Sequence, residues 1–245
     1  MTRRRWIADE VSGDRAALLG AHAEHLARVL RARVGQDFDV VAQGRVRRGR
    51  VAAVAPRRVE FDLLDDVPAD QLPRIELLLA VFKFDRFEWA IEKATELGAA
   101  RIVPVIAHRT DAHLAAAAAR RAERWRRIAK QAAEQSRRAS PPDIAEPTRL
   151  KAGMASVSGP RIVLAESETG TSLKQALAAA PLTLAIGPEG GWTADELKQF
   201  ADSGWTSASL GSTILRAETA AIAALAIAVS ELSPPASDQR LFSTT

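Results

Sequence analysis

The chain has 245 residues, 47% of them hydrophobic, which excludes a disordered protein and allows one large core or two smaller ones. It has no cysteine, so disulfides and thiolate metal sites are excluded, and His22, His25, His108 and His113 show no zinc-type spacing with acidic partners. The formal net charge is +4, and only six of the 34 basic residues are lysine, leaving 28 arginines.

Residues 1–58 carry thirteen arginines against six acids, and residues 120–138 carry eight basic residues against Glu123 and Glu134. A GC-rich genome accounts for much of an arginine bias, and a solvated charged face is the ordinary reading of one such run. Two basic clusters far apart in sequence point instead to an extended anionic partner. Within the first cluster, "QDFDVVAQGRVRRGRVAAVAPRRVEFDLL" alternates short apolar runs with arginines and sets Gly44 and Gly49 at expected turns, which predicts a small β-rich unit. The polar "DDVPADQLP" then reads as a linker, so domains are expected at residues 1–70 and 74–235.

Beyond the linker, apolar runs at 75–82, 101–107, 161–167, 182–187 and 207–211 alternate with helical patterns, which predicts an α/β fold with a parallel sheet. "DRFEWAIEKATELG" places Phe87, Ile91 and Ala94 at helical spacing with Gly98 as C-cap, the alanines at 115–119 read as helix, and Thr193 with Glu196 forms a capping box. The longest strongly apolar run, 219–229, is too short to cross a bilayer, and "MTRRRWIADE" is followed by no signal-length apolar stretch, so no membrane partner and a cytoplasmic location are expected.

Ligands of open parallel sheets lie at the carboxyl ends of the strands. Three loops qualify: "AESETG" after Ala165, "GPEGG" after Ile186 and "GSTILRAET" after Leu210, with Glu166 or Glu168, Glu189 and Glu218 among them, and Arg216 in the last. "GPEGG" lacks the lysine and Ser/Thr of a phosphate-binding loop, and Glu189 would repel an anion, so a neutral or cationic ligand suits it better. Each motif taken alone also reads as local structure, a turn for GPEGG and an ion pair at a helix start for Arg216 and Glu218.

"IGPEGGWTADE", "LGSTILRAETAAIAAL", "EKATELGAARIVPV" and "EQSRRASPPDI" together resemble the RsmE family of the SPOUT superfamily, which methylates N3 of a uridine in 16S ribosomal RNA. "RRRWIADE" and "HLARVLRARVGQDFDVV" look like that family's PUA-like RNA-binding domain. The resemblance implies a C-terminal trefoil knot and S-adenosyl-L-methionine as cofactor. It implies a cofactor cleft of Glu166, Ile186, Gly187, Pro188, Glu189, Gly190, Gly191, Leu210, Gly211, Ile214 and Leu215, continued by Arg216, Thr219 and Ala220 at the start of the next helix. The sequence departs from the family at Ser212 and Thr213, where proline and arginine are usual, at Ala217, where a threonine is, and at Thr110, usually serine.

Methylation at N3 requires loss of the imide proton and stabilisation of the resulting anion. Arg216 is the expected stabilising cation, and Glu218 or Glu189 the proton acceptor. RNA contacts are expected from Arg3, Arg4, Arg5, Arg47 and Arg48, and from Gln135, Arg137 and Arg138, where Gln131, Glu134, Gln135 and Arg138 share one face of a helix. The last helix, 217–232, is apolar nearly all round, which predicts a homodimer. The uridine-N3 reading has two rivals: ribose 2′-O methylation by another SPOUT enzyme, and a catalytically silent RNA-binding protein.

Overall fold

Alternation of valine with arginine builds the first part of the molecule, and continuous apolar strands build the second. The structure, a computed structural model, describes residues 5–67, 72–136 and 138–233. Its chain forms two units, Met1–Asp70 with Arg127–Pro142 and Gln71–Arg126 with Asp143–Thr245.

In the first unit β1 (Arg5–Ile7), β2 (Glu10–Ser12), β3 (Arg15–Leu19), β4 (Asp37–Ala42), β5 (Arg45–Ala55) and β6 (Arg58–Asp66) form one sheet in the order β1-β4-β5-β6-β3-β2. Only the β1–β4 pair is parallel. Helix α1 (Gly20–Glu24) runs into a π-helical turn at His25–Val29. Gln43 and Gly44 both have positive φ, the signature of a two-residue type I′ hairpin turn between β4 and β5, so Gly44 turns the chain as read from sequence. Gly49 does not. It lies inside β5, where a Cβ would stand 2.5 Å from Val40 Cγ2, so its smallness serves close packing over the core rather than a turn. That core comprises Trp6, Leu18, Leu26, Val40, Val51, Val59 and Phe61, among others.

Segment 127–142 is tied to this unit by polar contacts. His22 Nε2 lies 2.9 Å from Glu134 Oε2, and Lys130 Nζ donates to Asp9 Oδ1 at 3.1 Å. Desolvation pushes the Glu134 carboxyl above the usual glutamate range, and the adjacent His22 opposes the shift.

The second unit opens with β7 (Ile75–Ala80), α2 (Phe84–Leu97), β8 (Arg101–Ile106) and α3 (Ala112–Gln135), whose last turns belong to the first unit. There follow β9 (Asp143–Ile144), β10 (Thr148–Arg149), α4 (Leu150–Ala155), β11 (Arg161–Leu164), α5 (Leu173–Ala176), β12 (Leu182–Ile186), α6 (Ala194–Asp202), β13 (Thr206–Ala208) and α7 (Ala217–Leu232). The strands run parallel in the order β10-β8-β7-β12-β11-β13, with β9 beside β8. Every β12 residue is buried, as expected for a strand covered on both faces.

Phe87, Ile91 and Ala94 form the buried stripe of α2, and Gly98 closes the helix in the left-handed conformation. The capping box of Thr193 and Glu196 starts α6. Helix α3 includes the alanine tract but ends at Gln135, so Arg138 lies beyond it and shares no helical face with Gln131. The reason is local: Arg138 N donates to Ala133 O at 2.9 Å, a wide closing turn rather than another helical one. Among the described residues no helix is long and apolar enough to cross a membrane, and no group of His, Asp and Glu is placed to hold a metal ion.

Candidate functional site

The order of β11, β12 and β13 brings the loops that follow them to one edge of the sheet. Each loop is braced. After β11, Glu168 Oε1 accepts from Gly170 N and Thr171 N at 2.8 and 3.1 Å, and Ser172 with Gln175 caps α5. After β13, Ser209 N donates to Thr171 O and Leu173 N donates to Ser209 O, joining this loop to the one after β11.

The loop after β12 has the most supports. Gly191 N closes a turn on Pro188 O at 2.8 Å, and Gly191 takes φ +68°, a conformation that disfavours residues with a Cβ. Trp192 then turns inward, its Nε1 donating to Leu164 O at 3.2 Å. A Cβ at Gly187 would meet the Trp192 ring at 3.3 Å, so this glycine lets the indole pass beneath the chain. Glu189 Oε1 accepts from Lys83 N, at the start of α2, at 3.5 Å. Buried Glu196 accepts from Thr193 N on one side and from His108 N, at 2.7 Å, on the other.

These loops enclose a cleft. Of the residues expected there, Glu166, Ile186, Gly187, Pro188, Glu189, Gly190, Gly191, Leu210, Gly211, Ile214, Leu215 and Ala220 line it. Ser212 and Thr213, the two departures from the family pattern, line it too. Arg216 and Thr219 do not. Arg216 is the exposed N-cap residue of α7, and Thr219 is exposed one turn further. Glu218 also points elsewhere: it is buried, and its Oε1 accepts from Arg86 Nη1 at 3.2 Å. Its Oε2 is buried with no hydrogen-bond partner among the described residues.

Of the lining residues that the sequence reading did not name, one is charged. Arg109, from the loop after β8, donates through Nη1 to Gly190 O and approaches Trp192 O at 3.5 Å. The available signal was its place three residues past a parallel strand, at the same sheet edge as the other loops.

The arginines expected to meet RNA are placed differently. Arg3, Arg4 and Arg137 lie outside the described residues. Arg5 is half-buried in β1. Arg47 donates to Asp14 Oδ1 at 2.8 Å and to the carbonyls of Leu64 and Leu63 at 2.9 and 3.2 Å, and Arg48 lies 3.6 Å from Asp39. Gln135 is exposed on the last turn of α3, whereas Arg138 is half-buried, and desolvation holds its guanidinium below the usual arginine range. Arg28, Arg31 and Arg33, around the π-helical turn, are all exposed beside the exposed apolar side chains of Val29, Leu30 and Val34.

A family model for an RNA methyltransferase domain matches residues 70–229, which contain all of the cleft. The ribosomal RNA small subunit methyltransferase E of Synechocystis is 36% identical over 219 residues, covering 85% of this chain and 71% of that protein. The protein of the same name from Bacillus subtilis is 28% identical, covering 85% and 87%. The crystal structure of the Neisseria gonorrhoeae ribosomal RNA small subunit methyltransferase E bound to S-adenosyl methionine superposes with a TM-score of 0.81 at 26% identity, covering 94% of this chain and 98% of that one. The chain belongs to the RNA methyltransferase family, within its ribosomal RNA small subunit methyltransferase E group.

Proposed function

We propose that this protein methylates ribosomal RNA of the small subunit, at N3 of a uridine in 16S RNA, with S-adenosyl-L-methionine as methyl donor. The observation that carries the reading is the convergence of the loops after β11, β12 and β13 on one cleft with the glycine turn at its wall. The residues fit that donor. Gly190 and Gly191 keep the wall free of side chains, so backbone groups are within reach of an adenine edge. Glu166 and Glu189 favour a ligand with cationic groups and disfavour a free phosphate.

When bound, the donor supplies an electrophilic methyl group. The chain's task is to place the uracil beside it and manage the N3 proton. Arg216, exposed at the N-cap of α7 next to the lining residues Leu215 and Ala217, stabilises the anion shared by N3, O2 and O4. Glu189 lines the cleft and accepts the proton, directly or through a water. Glu218, paired with Arg86, serves this reading best by fixing the start of α7 against α2 and so orienting Arg216.

The resemblance extends the proposal to a trefoil knot in the C-terminal half, a PUA-like character for residues 1–70, the methyltransferase domain over 74–235, and action in the cytoplasm on RNA within the small subunit. A homodimer is supported by α7, where Ile222, Ala223, Ala226, Ile227 and Val229 remain only half-buried.

The test is methylation of small subunits, followed by mass spectrometry of the modified nucleotide. A methyl group on a uridine base N3 is expected. Methyl on a ribose oxygen, or none despite normal donor binding, would overturn the uridine-N3 reading.

A further inference from the structure

Among the described residues that line the cleft, Arg109 is the one cation, set against two carboxylates, Glu166 and Glu189. S-adenosyl-L-methionine carries the complementary set: a sulfonium and an ammonium, both positive, and one carboxylate. We infer that Arg109 holds the α-carboxylate of the cofactor's methionine moiety. This inference rests on the proposal that the cleft is the cofactor site.

Three observations support it. First, Arg109 is preorganised. The chain on either side is pinned, with Thr110 Oγ1 donating to Val81 O and accepting from Ala107 N, both at 3.1 Å, and His108 N donating to Glu196 Oε1 at 2.7 Å. Second, the guanidinium is anchored but not consumed. Nη1 is used on Gly190 O, while Nε and Nη2 have no hydrogen-bond partner among the described residues, and a planar fork with donors to spare is the geometry that carboxylates accept. Third, the neutral polar residues of the lining, such as Ser167, Ser209 and Thr213, offer no compensating charge, so a ligand carboxylate placed away from Arg109 would meet no side chain of opposite charge in the lining.

The rival roles are separable because each moves a different measurement. An arginine that only holds the Gly190 carbonyl acts on the loop, and so on every ligand of the cleft equally. An arginine that meets the carboxylate acts only on ligands that possess one. Calorimetric titration of the full chain with S-adenosyl-L-homocysteine and with its decarboxylated analogue makes that distinction, in the wild type, R109A and R109K.

In the wild type, loss of the ligand carboxylate should weaken binding by roughly 10- to 30-fold, the scale of one charge-assisted hydrogen-bonded pair. In R109A the two ligands should differ by no more than about threefold, because the partner is gone. R109K, which keeps the charge without the fork, should fall between, and it decides the matter by the same ratio if R109A fails to fold on a thermal melt. Equal weakening of both ligands by R109A would reduce the arginine to a support of the loop. An unchanged ligand ratio with reduced affinity for small-subunit RNA would assign it to an RNA phosphate. If neither ligand binds the wild type, the reading of the cleft itself falls, an outcome distinct from both.

Discussion

The strand arginines of the first unit and the two arginines at or beside the cleft of the second are used in opposite ways. In the first, the strand arginines are neutralised where they stand: Arg45 pairs with Asp66, Arg47 with Asp14, Arg50 with Asp37, and Arg58 with both Glu10 and Glu60. In the second, at the sheet edge, Arg109 spends one donor on a backbone carbonyl, and Arg216 stands exposed at a helix start. A count of basic residues therefore overstates the charge that the sheet of the first unit offers to a polyanion. Cross-strand pairing consumes it, because antiparallel neighbours put Asp37 opposite Arg50 and Asp62 opposite Arg15.

The sharpest way to break this contrast is at the cleft. Gly191→Val forces a β-branched residue to φ +68° and should weaken S-adenosyl-L-homocysteine binding by roughly 100-fold or more while the thermal melt stays cooperative. Gly190 does not share the positive φ, and a Cβ there would meet only the flexible Arg109 side chain, at 3.2 Å from its Cδ. Gly190→Ala should therefore cost far less, and equal losses from the two glycines in calorimetry would refute the turn geometry as the cause.

Next in size is Arg216→Ala, which should lower single-turnover methylation by roughly 100-fold at saturating RNA, as expected when a donor to developing charge is lost. Cofactor affinity should hardly change, since Arg216 does not line the cleft. Full recovery of the rate at high RNA would move Arg216 to the docking surface.

Within the first unit the contrast predicts a division among its own arginines. Replacing exposed Arg28, Arg31 and Arg33 with alanine should reduce the slope of log affinity against log salt by about 3, near one for each phosphate no longer neutralised. Arg47→Ala should instead act on stability, by about 1–3 kcal/mol, because it leaves the Leu63 and Leu64 carbonyls without their side-chain donor. RNA titrations across salt, paired with urea denaturation, read both. An Arg47 variant of normal stability and weak RNA binding would restore that residue to the RNA-facing set.

The smallest expected effect is at Thr110→Val, where loss of the bonds to Val81 O and from Ala107 N should cost about 1–2 kcal/mol in denaturant. Methylation should fall only as far as Arg109 loses its footing, so a large rate loss with no stability loss would contradict a bracing role.

Much of this architecture was legible in the chain. Continuous apolar runs marked β7, β8, β11 and β12, since a parallel strand buried on both faces has no polar side to display. Gly98 and the Thr193–Glu196 pair marked helix ends, because capping is chemistry between near neighbours. The glycine loop with Glu189 marked the cleft, since backbone freedom and charge sign both belong to residue type.

Tertiary structure decided what depends on long separations. Gly49 resembles a turn glycine until Val40 is packed against it, and the partners of Arg47, Asp14 and the 63–64 carbonyls, are set only by the fold. Glu218, two residues from Arg216 in sequence, is turned to Arg86, 132 residues away in the chain. Arg109 reaches Gly190 across 81 residues of sequence, where no local pattern connects them. Sequence fixes what a side chain is able to do, through its charge, shape and near neighbours; which partner it meets is set by the order in which the strands assemble, and that order is a property of the whole chain.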